Sequence, residues 1–81
     1  MTRGEIFKQL GEVIEESSVE DVDWSSVTDE NTIESFGFDS LAVLDLIFDL
    51  ESAFDVQIKA EEVLEMKTVG ELVTFLEAKT S

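Results

Sequence analysis

Residues 36–54, from Phe36 to Phe54, read Phe-Gly-Phe-Asp-Ser-Leu-Ala-Val-Leu-Asp-Leu-Ile-Phe-Asp-Leu-Glu-Ser-Ala-Phe, and this stretch decides the fold. Val43, Leu46, Ile47, Leu50 and Phe54 recur at the spacing of one helical face. They predict a helix from about Ser40 to Ala53 or Phe54 with that face in a core. Asp39 is the expected N-cap, because a carboxylate there accepts free backbone N–H groups and complements the helix dipole. Leu41, Leu44 and Phe48 form a second apolar stripe beside the first. Asp45, Asp49 and Ser52 define the polar side, with Glu51 at its edge. The helix therefore carries more apolar surface than one core contact requires. At its mouth stands Ser40, within Gly37-Phe38-Asp39-Ser40-Leu41. The chain contains no cysteine and no histidine, hence no thiol nucleophile and no imidazole base. A serine so placed points to a site of attachment, not of catalysis.

Three further helical segments flank this one. The first is expected from about Arg3 to Glu16. Thr2 and Glu5 have capping-box spacing, and Ile6, Leu10, Val13 and Ile14 share a face. Ala60 to Glu65 reads as a short helical turn, with Val63 and Leu64 apolar. The last helix begins near Val69, where Thr68 and Glu71 repeat the capping-box spacing. Val69, Leu72, Val73 and Leu76 line one face of it, with Phe75 beside them. The polar connection from Ser17 to Asp39 is long for a compact domain. Trp24, Val27, Ile33, Phe36 and Phe38 are expected to pin it to the core. Asp55-Val56-Gln57-Ile58 alternates like a strand but has no evident partner, and it reads as an extended connector. The expectation is an all-α four-helix bundle of three longer helices and one short one.

The 81 residues read as one domain, 1–81, in which 43% hydrophobic residues supply one modest core. Twenty acidic residues against five basic ones give a net charge of −15. Nucleic-acid binding is excluded by that balance, because affinity for phosphate backbones comes from lysine and arginine clusters. Basic patches on other proteins are the expected partners. No apolar run reaches the roughly 18 residues needed to span a bilayer, and there is no signal peptide. The chain accordingly reads as cytoplasmic, not membrane-inserted, and monomeric by default.

From Ile33 to Phe75 above all, the sequence resembles the acyl carrier proteins. The resemblance rests on Gly37 before Asp39-Ser40-Leu41, the pair Asp45-Leu46, Leu50-Glu51 with Phe54, the connector Asp55-Val56-Gln57-Ile58, and Thr68-Val69 opening the final helix. Lys59 stands where the family often has proline. Ala42 and Leu44-Asp45-Leu46 depart from the housekeeping fatty-acid pattern and favour a specialised pathway as a rival. The resemblance implies that Ser40 is the attachment site for 4′-phosphopantetheine from coenzyme A, with Asp39 flanking it. A chain without cysteine would thereby acquire a thiol to carry acyl groups as thioesters. Free N–H groups at the helix start would favour the phosphodiester. The implied partners are a phosphopantetheinyl transferase of the holo-acyl-carrier-protein-synthase type, and acyl-transfer, ketosynthase and related enzymes with basic docking patches. Leu41, Leu44 and Phe48, ringed by Asp45, Asp49 and Glu51, would form the docking face. An acyl chain could shelter against Val43, Leu46, Ile47, Val63 and Phe75.

The rival readings are weaker. Gly-Phe-Asp-Ser-Leu has a superficial likeness to Gly-Asp-Ser-Leu esterases, but a serine nucleophile needs a base that the chain lacks. The acidic run from Asp21 to Glu34 lacks the ligand spacing and central glycine of a calcium loop. A peptidyl or aminoacyl carrier of a nonribosomal-peptide-type pathway and an unmodified acidic interaction module remain as alternatives.

Overall fold

A computed structural model describes residues 1–18 and 21–80, with Ser40 described by its backbone alone. Helix α1 spans Arg3–Ser17 and opens on a complete capping box. Glu5 N–H donates to Thr2 Oγ1 at 3.1 Å, and Thr2 N–H donates to Glu5 Oε1 at 3.0 Å. Those bonds to Thr2, the backbone one first, hold the Glu5 carboxyl below its ordinary value of 4.5. Helix α2 spans Ser40–Phe54, α3 Ala60–Leu64 and α4 Val69–Thr80. Four helices and no strand among the described residues make this the all-α bundle that the apolar spacing predicts.

Helix α1 packs against α2 and α4, and α3 packs against α2. The predicted stripes meet in one core. Ile6, Leu10 and Ile14 come from α1, Leu46 and Leu50 from α2, and Leu72, Val73 and Leu76 from α4, all with no exposed surface. Each such side chain contributes about 1.5–3 kcal/mol relative to an exposed one. Val63 and Ile58 close the α3 side. The connector before α3 turns through Asp55, which takes left-handed backbone angles (φ 54°) at the end of α2.

The connection from α1 to α2 is held down by its own apolar residues, as predicted, but with local order that the apolar pattern does not reveal. It forms two short 3-10 turns, Trp24–Ser26 and Glu34–Phe36. The Trp24 ring lies 4.9 Å from Phe7 and 5.9 Å from Phe36, and its Nε1–H donates to the Phe7 carbonyl at 3.1 Å. The indole rests on Gly11, where a Cβ would come within 2.4 Å of the ring. Asp23 starts the first turn by accepting from Ser25 and Ser26. The Ser25 and Ser26 hydroxyls hold its carboxyl below the ordinary 3.8. Thr32 and Thr68 form an isolated antiparallel bridge, flanked by Ile33 N–H to Lys67 carbonyl at 2.9 Å and Val69 N–H to Asn31 carbonyl at 2.8 Å. The second capping box is half made. Thr68 Oγ1 accepts from Glu71 N–H at 3.2 Å, but the Glu71 carboxylate accepts from Lys67 N–H at 2.8 Å instead of from Thr68.

Alanine in place of a helical glycine normally stabilises by about 1 kcal/mol. Gly11→Ala is expected to reverse that sign, because a rigid ring blocks the new methyl. Urea unfolding should show a loss of about 1–3 kcal/mol, with a red shift of Trp24 fluorescence. The Glu5 carboxyl is depressed in the folded state, so the capping box contributes fully above pH 4.5 and is lost as pH falls through the lower folded value. An NMR titration should place the Glu5 midpoint below 4.5, and Thr2→Ala should raise it.

Candidate functional site

The mouth of α2 is set by three consecutive devices. Gly37 ends the Glu34–Phe36 turn with φ 90°, a left-handed conformation that costs a residue with a side chain about 1 kcal/mol or more. Phe38 then enters the core at 5% exposure. Asp39 stays exposed and caps the helix, its Oδ1 accepting Leu41 N–H at 3.1 Å and Ala42 N–H at 2.8 Å. Ser40 follows as the first residue of α2. Its side chain lies outside what the structure describes.

Asp39 thereby takes the N–H groups of Leu41 and Ala42, as its expected role of N-cap requires.

The second apolar stripe lies in water. Leu41 is 76% exposed, Leu44 45% and Phe48 75%. Asp45 and Asp49 are exposed beside them, and Asp49 Oδ2 also accepts from the Ser17 hydroxyl at the end of α1. Leu64 of α3 is also exposed, at 57%, and lines a cleft beside Asp39. The signal was available: Val63 and Leu64 are neighbours on a helix, about 100° apart, and one short helix cannot bury both. Glu51 differs from the other two carboxylates: it is half-buried, and its Oε2 accepts Ile58 N–H at 3.1 Å.

A cleft of about 770 Å³ opens beside Asp39 between the 32–39 segment and α3. Its apolar lining includes Phe38, Val43, Val63, Leu64 and Met66, and Lys67 is the cation that reaches it. Of the residues expected to shelter an acyl chain, Val43 and Val63 line this cleft. Leu46 and Ile47 are buried in the core. Phe75 lines a separate groove of about 830 Å³ with Met66, Glu62 and Arg3. There Lys79 Nζ lies 5.3 Å above the Phe75 ring and 3.8 Å from Glu62.

Comparison with known proteins bears on this arrangement. Residues 9–76 match the family model described as "Phosphopantetheine attachment site". An acyl carrier protein of Thermotoga maritima is 38% identical over 79 residues, covering 96% of this chain and 95% of its own. One from Streptococcus pneumoniae is 40% identical over 72 residues, covering 89% and 92%. A crystal structure of a Thermotoga maritima acyl carrier protein superposes with a TM-score of 0.79 at 30% identity, covering 95% of this chain and 88% of that one. Family model, relatives and fold agree: the chain belongs to the acyl carrier proteins, which are carriers and not enzymes and hold their cargo on covalently bound 4′-phosphopantetheine.

Proposed function

We propose that Ser40 is the residue that carries the 4′-phosphopantetheine arm. The observation that supports this most is its place: the first residue of α2, next to an exposed cap and a cleft with an apolar lining. The helix start is fixed by Gly37, Phe38 and Asp39, so attachment at Ser40 leaves those contacts to other residues. The residues fit a covalent link better than a loosely bound anion, since Asp39 already accepts two of the first-turn donors, the N–H groups of Leu41 and Ala42. When attached, the arm supplies the thiol that the chain lacks. Asp39 acts as the cap and flanks the modifying enzyme's target.

The exposed strip of Leu41, Leu44 and Phe48 is the docking face, with Asp45 and Asp49 as its charged rim. Exposed aromatic and aliphatic groups supply the contact, and surrounding carboxylates speed encounter with basic partners. The partners in this reading are a phosphopantetheinyl transferase, then acyl-transfer and ketosynthase enzymes of fatty-acid or polyketide-type biosynthesis. Such encounters must be brief, and a net charge of −15 gives fast association without a large buried area.

Two experiments test this reading. Intact mass should rise by one phosphopantetheine when the protein is incubated with coenzyme A and a promiscuous transferase, and Ser40→Ala should show no gain. A folded parent protein that starts without the arm and gains nothing would refute the assignment. Association with the transferase should weaken steeply with added salt. Asp45→Asn should flatten that dependence, while Phe48→Ala should weaken binding by more than about 1 kcal/mol at every salt concentration.

A further inference from the structure

The connector between α2 and α3 is held from a single residue. The Glu51 carbonyl accepts the Asp55 N–H and, at 3.3 Å, the Val56 N–H, while the Glu51 carboxylate accepts Ile58 N–H at 3.1 Å. Backbone and side chain of Glu51 therefore grip the connector at both ends, and the Ile58 side chain is buried in the core. Beyond Ile58 the chain enters α3 with little support of its own. That helix has five residues and no side-chain cap at Lys59. A helix so short does not hold itself together in water. Its half-exposed ion pair, Lys79 to Glu62 at 3.8 Å, adds little. Packing on α2 and the anchored connector place its start, while the Thr32–Thr68 bridge and the Ile33 N–H to Lys67 carbonyl bond hold the chain just past its end. Val63 and Leu64 of this helix, with Met66 after it, form the wall of the cleft that faces Phe38 and Val43.

We infer that Glu51 is a positioning residue: its carboxylate is the clasp that sets how far the α3 wall stands from α2, and so how wide the cleft beside Ser40 opens. Glu51 consequently does not belong to the charged rim that meets partner enzymes. The inference rests on the proposed attachment at Ser40 for its bearing on the cargo. The clasp itself is a property of the unmodified fold.

Amide hydrogen exchange of the unmodified protein reads the clasp directly. In Glu51→Ala, the Ile58 amide and those of residues 62–66 should exchange about tenfold faster or more, while amides inside α1 and α4 keep their parental rates. Glu51→Gln keeps an acceptor oxygen at the same reach but removes the charge, and it should retain protection at Ile58. Its association with the transferase should keep a salt dependence close to the parent's, whereas Asp45→Asn flattens it. Parental exchange at Ile58 and residues 62–66 in Glu51→Ala overturns the inference. So does a salt dependence in Glu51→Gln as flat as that of Asp45→Asn, a result that also decides the matter if Glu51→Ala does not fold. Failure of the parent to accept phosphopantetheine would count against Ser40 and leave the exchange result intact.

Discussion

One carboxylate oxygen fixes the helix on which everything else is arranged. Asp39 Oδ1 accepts two consecutive N–H groups and so determines where α2 begins. Core packing then sets which face is buried: Val43, Leu46, Ile47, Leu50 and Phe54 lie in the core, while Leu41, Leu44 and Phe48, at other angles round the helix, face water. Phe38 reinforces the choice from outside the helix, since its burial fixes the chain just before the cap. The functional geometry thus follows from local capping chemistry acting on a helix with two apolar faces.

Cohesion comes from that core and from hydrogen bonds, with little help from ion pairs. Only five basic residues serve twenty acidic ones. Arg3 is the cation used most: it reaches Asp29 at 3.3 Å, Glu77 at 3.8 Å and the Thr74 hydroxyl at 3.0 Å, joining α1, the long connection and α4. These groups are half exposed, a setting in which ion pairs contribute between nothing and about 1 kcal/mol. Many carboxylates find backbone or hydroxyl donors instead. Glu5 takes Thr2, Asp23 takes its two following serines, Asp49 takes Ser17, Glu51 takes Ile58 and Glu71 takes Lys67 N–H. An acidic chain with few cations keeps its carboxylates satisfied by spending them on helix ends and turns.

What could be read in the sequence was what acts over a few residues. The four helices, the first capping box, the Asp39 cap and the core stripes follow from periodicity and cap chemistry, and α1 extends one residue past its expected end at Glu16. Trp24 as a pin followed from an isolated aromatic in a polar stretch. Its seat on Gly11 did not, because twelve residues of chain separate a glycine with no local signal from the ring that needs it. The Thr32–Thr68 bridge is equally nonlocal. Glu51 sits at the edge of the polar side of α2 and looks like any surface acid until the connector folds back to it. The exposed strip was visible as an excess of apolar residues on α2, whereas the exposure of Leu64 depended on where α3 lies.

The uncovered strip on α2 raises a question of colloidal behaviour. A phenylalanine 75% exposed beside a leucine 76% exposed would, on a neutral domain, invite pairing with the same patch on another copy. Here any two copies approach carrying −15 each, and the carboxylates at the rim of one strip confront those of the other. Homotypic contact is repelled at the range where contact with a basic surface is attracted. Charge therefore acts as a sorting rule: it keeps a sticky face dispersed among its own kind at high concentration and leaves it adhesive only towards surfaces of opposite sign.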